Sequence, residues 1–422
     1  MSRHRTIIML FFACAMMAHF PICICGADFF KGADISWVPG QESKGIEFLD
    51  TLGRKRDIID ILKADYQLNT IRLRVFVNPS GDWGDGLCSI DATVAMAKRV
   101  KKAGMQLMLT LHYSDSWADP GKQNPPAAWR NFTVAQLETA VYNYTKDVMK
   151  ALSAEGIYPV LVQIGNETND GMLWPNGKAS QNMANYAHFV TSGNNAVKDV
   201  SPDTKTVVHL ANGFDNALYR WNIGGLVSNG AKFDVIGMSS YPEYAPNITV
   251  NDWAAFNSKV YTNVSDMVKT YGKPVIISET GMDYRAEDNC RKMISDLIVK
   301  MRSIKNQMGL GVMYWEPQAG PGYNRGYNLG AWGTNNQPTE ALKGFIDSSI
   351  TVTVTPAQMQ LPQKNMNVSN VLFVKSSNLT IRGFHAPIEL YQISGRALYK
   401  GAYSKHEIES IPDGAYLLRK NR

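Results

Sequence analysis

Two glutamates, Glu167 and Glu279, are the residues of this chain best suited to acid/base and nucleophilic chemistry. Each follows a short apolar run rich in β-branched residues, which is typical of a buried parallel strand. Carboxyl groups at the C-terminal ends of barrel strands can flank a glycosidic bond, one as proton donor and the other as nucleophile. One isolated glutamate is as often a structural salt-bridge partner, but two in matching contexts predict a single active site.

The elements that must position this pair are eight apolar, β-prone segments with helical patterns between them. In residues 91–104, for example, small and apolar residues recur at helical spacing and Gly104 ends the run. This alternation predicts an α/β fold, a (β/α)8 TIM barrel whose strand C-terminal ends carry the chemistry. The predicted strands are Gly32 to Trp37, Thr70 to Phe76, Gln106 to Leu111, Pro159 to Ile164, Thr206 to Leu210, Asp234 to Met238, Pro274 to Ser278 and Gly311 to Tyr314.

Both ends of the chain differ from the barrel segment. Arg3 and Arg5 precede an apolar run over residues 6–24 and small residues up to Ala27, which is the layout of a cleaved signal peptide. Short alternating β-prone segments broken by Gly and Pro fill residues 349–422. We therefore expect a signal peptide at 1–27, a catalytic domain at 28–348 and a linker with a small all-β module at 349–422. The mature protein would be secreted, periplasmic or on the cell surface, without a transmembrane segment.

Charge and cysteine content narrow the function. Of the formal net charge of +6, most lies in the N-terminal segment and in residues 349–422, so the main domain is close to neutral. A near-neutral main domain argues against a nucleic-acid partner and against a strongly anionic substrate. It suits a neutral polysaccharide as substrate. After signal cleavage only Cys88 and Cys290 remain, either as a disulfide or as two free thiols. Since no Cys/His spacing matches a metal site, we expect no metal and no cofactor.

Tryptophans crowd the loops that follow the predicted strands. Indole rings stack on the apolar faces of sugars, so these loops predict a cleft for a glycan, although each ring could instead pack a loop onto the barrel. The tryptophans are Trp83, Trp117, Trp174 and Trp332.

The motifs of residues 28–345 together resemble those of the endo-β-1,4-galactanases of glycoside hydrolase family 53. The most specific is His112-Tyr-Ser-Asp-Ser-Trp-Ala-Asp-Pro120, combined with the Leu173-Trp-Pro175 that follows the first glutamate. The others are Lys31-Gly-Ala-Asp34, Ile71-Arg-Leu-Arg-Val-Phe-Val-Asn-Pro79, Ile164-Gly-Asn-Glu167, Ser239-Ser-Tyr-Pro242, Ser278-Glu-Thr280 and Tyr314-Trp-Glu-Pro317.

The resemblance implies that Glu167 is the general acid/base and Glu279 the nucleophile of a retaining mechanism. Arg74 is expected to hold Glu279 ionised through a charge-assisted pair, with a purely structural salt bridge as the alternative. Asn166 is expected to hydrogen-bond the sugar 2-hydroxyl.

Further substrate-binding positions follow from the same motifs, each with packing or capping as the alternative. Tyr241 and Trp315 would frame the sugar at the scissile bond, and His112 would set protonation or contact sugar. Asp34 would organise the site or cap its strand.

The motif after the third predicted strand and the Leu173-Trp-Pro175 that follows Glu167 supply the remaining positions. Asp115 and Asp119 would bind sugar hydroxyls or cap turns. Trp117 and Trp174 would stack on sugars away from the scissile bond.

Two features at the edges of the resemblance have consequences. The short loop after Glu279 lacks the acid-rich segment by which some relatives bind calcium, so no calcium site is expected. The stretch Ile388-Glu-Leu-Tyr-Gln-Ile-Ser-Gly-Arg396 and the end of the chain resemble C-terminal sorting domains of Bacteroidota secretion systems, so the tail would engage secretion machinery. A plain β accessory module is the alternative.

The sequence thus favours a secreted, monomeric endo-β-1,4-galactanase that acts on pectic galactan or type I arabinogalactan. One alternative is another barrel glycosidase of the same clan, a β-1,4-mannanase or glucanase. A second is a non-catalytic glycan-binding barrel, although a binder needs aromatic walls but no paired acids.

Overall fold

Eight parallel strands close into a barrel in chain order, with β8 hydrogen-bonded back to β1. The structure is a computed structural model that describes residues 29–79 and 87–347, together with six strands between 371 and 420. The predicted (β/α)8 barrel is confirmed, with all eight strands present and their bounds shifted by a few residues. The strands are β1 (Phe30–Asp34), β2 (Thr70–Val75), β3 (Gln106–Leu111), β4 (Leu161–Ile164), β5 (Lys205–Leu210), β6 (Val235–Ser240), β7 (Val275–Thr280) and β8 (Gly309–Trp315).

Helices connect each strand to the next on the outside of the barrel. The starts of three of them are fixed by capping side chains: Asp57, Ser89 and Thr133 each accept a hydrogen bond from a backbone N–H of the first turn. The predicted helix in residues 91–104 is present as α3. The helices are α1 (Val38–Ser43), α2 (Ile58–Tyr66), α3 (Ile90–Lys102), α4 (Val134–Ala154), α5 (Ala179–Val200), α6 (Asn216–Ser228), α7 (Trp253–Tyr271) and α8 (Glu287–Ser303).

The barrel interior changes character along its axis. At the N-terminal ends of the strands it is filled by a small apolar cluster that is separate from the larger core between strands and helices. Two residues further along the strands, toward their C-terminal ends, the inward positions carry polar and charged side chains, including Arg72, Gln163 and His209. The apolar layer closes the barrel floor, so the polar layer is accessible only from the C-terminal face. The floor residues are Phe30, Met108, Leu161, Val207, Val235, Ile276 and Met313.

β1 and β8, the two strands that close the barrel, pack closely at Gly311, so a substitution there can measure how tightly the barrel floor is packed. An added Cβ at Gly311 would lie 2.3 Å from the carbonyl oxygen of its partner Phe30, so β1 and β8 would have to separate. We expect Gly311→Ala to lower the free energy of unfolding by about 1–3 kcal/mol, as overpacked cores do. Urea unfolding measures this. The control is Gly40→Ala in α1, where the nearest atoms lie at an ordinary 3.7 Å, and an equal loss in both variants would contradict the packing argument.

The C-terminal strands form two antiparallel groups. Four make a sheet in the order β12-β11-β14-β9, and β10 pairs with β13. Their bounds are β9 (Val371–Ser376), β10 (Leu379–Ile381), β11 (Ile388–Gln392), β12 (Ala397–Gly401), β13 (Ile408–Ile411) and β14 (Gly414–Lys420). The predicted domain bounds stay predictions, and the predicted signal peptide, the linker and Trp83 lie outside the described residues.

Two remaining predictions concern the membrane and the thiols. None of the helices in the described part of the chain is both long and apolar enough to cross a membrane. Cys88 and Cys290 are each buried, and in the described structure they are not joined in a disulfide.

Candidate active site

A cleft of about 440 Å³ opens at the C-terminal ends of the strands, above the polar layer of the barrel. Its lining includes nine of the twelve side chains that the sequence nominated, contributed by β2, β3, β4, β6, β7 and β8 or the loops that follow them. The roles given to these side chains stay predictions, but the fold brings them together. They are Arg74, His112, Trp117, Asp119, Asn166, Glu167, Tyr241, Glu279 and Trp315.

Glu167 enters the cleft through an unusual turn after β4. Gly165 has φ +85° and Glu167 itself has φ +45°, in the left-handed region that non-glycine residues seldom adopt. Backbone N–H groups hold the turn: that of Gly165 donates to Leu111 O at 3.0 Å, and that of Thr168 to His209 O at 2.9 Å. Such a conformation persists only where its surroundings impose it, which is common at functional sites.

Glu279 reaches the same cleft through a β-bulge in β7. The register between β6 and β7 pairs Met238 with Ile277 but then pairs Ser239 with Glu279, so Ser278 is skipped. In a regular strand, Ser278 would be the next inward residue after Ile276 and Glu279 would face outward. The bulge re-aims the carboxylate into the barrel beside Ser239.

The cation that binds Glu279 is Arg72, so the prediction that Arg74 pairs with Glu279 is wrong. Arg72 Nη2 lies 2.7 Å from Glu279 Oε1, and Nη1 lies 2.7 Å from Asp34 Oδ2. Both arginines of β2 point into the barrel, since they are two residues apart. Arg72 is directly opposite Asp34 in the β1–β2 ladder and therefore lies beside it. Asp34 is fully buried behind this pair and is not part of the cleft lining.

Arg74 instead pairs with Glu316, in the loop after β8. Its guanidinium carbon lies 4.2 Å from the ring centre of Trp117 and 5.4 Å from that of Trp37. Glu316 is fully buried and also accepts hydrogen bonds from the backbone N–H of Trp37 and from Gln318 Nε2, at 3.0 and 2.6 Å. Burial raises the pKa of the Glu316 carboxyl, and Arg74 opposes that rise. This network braces the aromatic wall of the cleft.

The two candidate acids have different electrostatic surroundings. Burial raises the pKa of Glu167, and the negative charge of Glu279 raises it further. Burial also raises the pKa of Glu279, but the Arg72 ion pair opposes this, as does the Tyr241 hydroxyl, which donates to Glu279 Oε2 at 3.2 Å. A proton shared by the pair therefore resides on Glu167, and Glu279 is the carboxylate.

His112 is held as a neutral ring. Its Nδ1 accepts the backbone N–H of Ala118 at 3.1 Å, so its proton lies on Nε2. Burial lowers its pKa well below the ordinary value, and the charges of Arg74 and Arg72 add to the effect. Asp119 lines the cleft and also accepts the backbone N–H of Gly121 at 2.8 Å, so it caps its turn as well.

Besides Asp34, two of the twelve predicted site residues, Asp115 and Trp174, lie outside the cleft lining. Asp115 Oδ1 and Oδ2 accept the backbone N–H groups of Asn78 and Ala127 at 3.0 and 2.8 Å, which is the turn-capping alternative. Trp174 donates from Nε1 to Asp170 O at 2.8 Å and packs beneath Lys178. Trp332 is buried in the core, so it packs a loop and does not wall the cleft.

Sequence reasoning missed part of the lining. Trp37 was assigned to the end of the first strand, but Asp34 accepts the backbone N–H of Ser36 at 3.0 Å, and β1 ends there, before Trp37. Tyr244, which is 64% exposed at the rim, follows the Ser-Ser-Tyr-Pro motif by two residues, a signal that could have found it. The other missed residues are Arg72, Ala118, Asn324, Arg325, Gly326, Tyr327 and Leu329.

No group of three or more metal-binding side chains occurs in the part of the chain that the structure describes. The chemistry that the described cleft supports is that of its carboxyl pair within an aromatic wall, suited to cleaving a glycosidic bond.

Comparison with known proteins agrees with this chemistry. Residues 30–292 match the family model described as "Glycosyl hydrolase family 53". The "Probable arabinogalactan endo-beta-1,4-galactanase A" of Neosartorya fischeri is 37% identical over 310 residues, covering 68% of this chain and 83% of the relative. A structure titled as one of two fungal β-1,4-galactanases aligns with a TM-score of 0.68 at 30% identity, over 75% of this chain and 98% of that one. The family 53 catalytic domain of Ignisphaera aggregans gives the same TM-score and identity, over 78% and 98%. The chain therefore belongs to glycoside hydrolase family 53 and is a glycoside hydrolase.

Proposed function

We propose that the chain is a retaining endo-β-1,4-galactanase that hydrolyses pectic β-1,4-galactan or the galactan of type I arabinogalactan. The observation that carries the mechanism is the asymmetric pair: Glu279 is bound to Arg72, whereas Glu167 is half-buried beside the negative charge of Glu279. Support for the substrate comes from relatives whose names describe arabinogalactan endo-β-1,4-galactanases.

In the proposed first step, Glu167 protonates the leaving oxygen while Glu279 attacks the anomeric carbon. In the second, Glu167, now ionised, removes a proton from water as it displaces Glu279. A retaining mechanism needs carboxyl groups about 5 to 5.5 Å apart, close enough for each to sense the charge of the other. Burial and, after it, that electrostatic contact raise the pKa of Glu167, so Glu167 holds its proton when Glu279 is ionised.

The walls of the cleft suit a neutral sugar chain. Trp37, Trp117 and Trp315 form one aromatic surface, with ring centres 4.9 Å apart for Trp37 and Trp315 and 5.9 Å for Trp117 and Trp315. Tyr241 and Tyr244 stand together elsewhere in the lining, 5.5 Å apart. Rings of this kind stack on the apolar faces of pyranoses, and Asn166 and His112 supply polar contacts between them.

The test of substrate and reaction is reducing-end release from pectic β-1,4-galactan beside β-1,4-mannan and cellulose. We expect wild type to act on galactan alone, with viscosity falling faster than reducing ends appear, and with the β-anomer as the first product seen by ¹H NMR. Glu167→Gln and Glu279→Gln should release almost nothing. Activity on mannan or cellulose would favour the other clan glycosidases, and tight galactan binding without turnover in wild type would favour the glycan-binding barrel.

We also propose that the protein is secreted as a monomer and that residues 349–422 engage secretion machinery. The support is the sequence pattern of the N-terminal segment and the tail. N-terminal sequencing of protein recovered from the medium or periplasm should begin at Asp28. Deletion of residues 349–422 should leave galactan hydrolysis intact while changing where the protein accumulates.

A further inference from the structure

Beneath Glu167 lies a chain of buried polar side chains to which no role has been assigned. Gln163 on β4, His209 on β5 and Ser239 on β6 all point into the barrel and are almost fully buried. Gln163 Nε2 lies 2.9 Å from His209 Nδ1, and His209 Nε2 lies 2.9 Å from Ser239 Oγ. The side-chain hydroxyl of Ser239 lowers the pKa of the Glu167 carboxyl, as a hydrogen-bond donor does.

The donor and the acceptor of each hydrogen bond among Gln163, His209 and Ser239 can be assigned by starting from Arg72. Arg72 Nε is a donor in all states and lies 2.9 Å from Gln163 Oε1, so the amide nitrogen of Gln163 must face His209. His209 Nδ1 therefore accepts, and the Glu167 backbone N–H also points at it from 3.4 Å. Asn166 Oδ1 is 3.2 Å from the same nitrogen but is itself the acceptor of Arg72 Nη2 at 3.2 Å.

With Nδ1 accepting, the single proton of a neutral ring lies on Nε2 and is donated to Ser239 Oγ. The ring is neutral because burial and the charge of Arg72 lower its pKa well below the ordinary value. Ser239 Oγ keeps its own hydrogen, which it can donate to the neighbouring Glu167 carboxyl, whose pKa it lowers.

We propose that Gln163, His209 and Ser239 are positioning residues that relay the orientation of Arg72 to Glu167, so that Ser239 always donates to the Glu167 carboxyl. This inference rests on the proposed acid/base role of Glu167. A donor that cannot turn into an acceptor favours the ionised form of Glu167, the form that must remove a proton from water in the second step. The same arginine that binds Glu279 thus limits how far the pKa of Glu167 can rise.

The pH profile of kcat/KM on a β-1,4-galacto-oligosaccharide tests this, because its basic limb reports loss of the Glu167 proton. Without the Ser239 donor, ionised Glu167 loses a stabilising bond, its pKa rises, and the limb moves to higher pH. We expect Ser239→Ala to move it by about one unit, since a hydrogen bond to a charged group commonly has that effect. The other charged and titratable groups that face Glu167 are unchanged in this variant: Arg72, Asp119, Tyr219, Tyr241, Tyr244 and Glu279.

Two substitutions of His209 separate the relay from simple packing. His209→Gln places an amide N–H near the position of Nε2 and should keep the limb near that of wild type. His209→Asn is too short to reach Ser239, so the hydroxyl is freed to rotate and the limb should move as in Ser239→Ala. The double variant Ser239→Ala/His209→Asn should show no additional shift.

The control is the adjacent Ser240→Ala, whose hydroxyl is buried without a hydrogen-bond partner in the described structure and which is not in the cleft lining. Its limb should stay in place. The relay is overturned if Ser239→Ala lowers kcat without moving the limb, or if His209→Gln and His209→Asn behave alike. Failure of the acid/base assignment is distinguishable: Glu167→Gln would then retain a basic limb on the same substrate.

Discussion

Glu279→Ala is expected to lower kcat/KM on galactan by on the order of 10⁴-fold or more, because no covalent galactosyl-enzyme can form. Sodium azide should restore turnover of an aryl β-galactobioside. Azide would occupy the space left by the carboxylate and displace the aryl group from the anomeric carbon in a single step, so the product should be the α-galactobiosyl azide. Product configuration, read by ¹H NMR, identifies the nucleophile more directly than the loss of rate does.

Glu167→Ala should respond to azide with the opposite product. Its loss on galactan is expected to be roughly 10² to 10⁴-fold, the usual contribution of a general acid, and much smaller on a dinitrophenyl glycoside whose leaving group needs no proton. Glu279 still forms the galactosyl-enzyme, which azide then attacks from the opposite face to give the β-galactosyl azide.

The matched control for both is Glu243→Gln. This carboxyl is also largely buried and its pKa is raised by burial, but it accepts the backbone N–H of Asp283 at 2.8 Å and is not in the cleft lining. It should retain wild-type activity and give no azide product. The same anomer from the Glu167 and Glu279 variants would refute the assignment of their roles.

The strands, and the meeting of the site residues at one face, were predictable from sequence. They follow from the hydrophobic period of each segment and from the order of strands and helices along the chain. Eight β-prone segments separated by helical patterns leave few topologies other than a barrel, and a barrel gathers its strand C-terminal ends on one face. No side-chain orientation has to be known for this prediction. Glu167, Glu279, Tyr241 and Trp315 could therefore be predicted to lie at one cleft, as they do.

The predicted ion-pair partner of Glu279 was wrong, because ion-pair partners depend on strand register and on local irregularities such as bulges. Arg72 and Arg74 have the same two-residue phase, so the strand period alone does not distinguish the arginine that binds Glu279 from the one that binds Glu316. The bulge at Ser278 inverts the facing of Glu279 and leaves no clear mark in the sequence. Glu316 belongs to the Tyr314-Trp-Glu-Pro317 motif but was given no role, although its burial and its pairing with Arg74 brace the aromatic wall.

Arg72→Met is expected to impair both stability and catalysis, through different partners. Arg72 is nearly inaccessible to solvent and binds two buried carboxylates, Asp34 and Glu279. Removing one member of a buried ion network leaves charge uncompensated and typically costs about 3–5 kcal/mol. Urea unfolding should show a loss of that size. The pKa of Glu279 should rise once its cation is gone, so the acid limb of kcat/KM, which reports ionised Glu279, should move to higher pH.

A second substitution separates the two effects. In Arg72→Met/Asp34→Asn the Asp34 charge, left with only Arg74 Nη1 at 3.7 Å, is removed, so much of the stability should return, while the acid limb should stay displaced because Glu279 still lacks its cation. Arg72→Lys tests geometry at constant charge: one ammonium cannot span Asp34, Glu279 and Gln163 together, as the guanidinium fork does, so activity should remain well below wild type. If the double variant recovered activity along with stability, Arg72 would be a scaffold residue only, and the ionisation of Glu279 would have to depend on Tyr241.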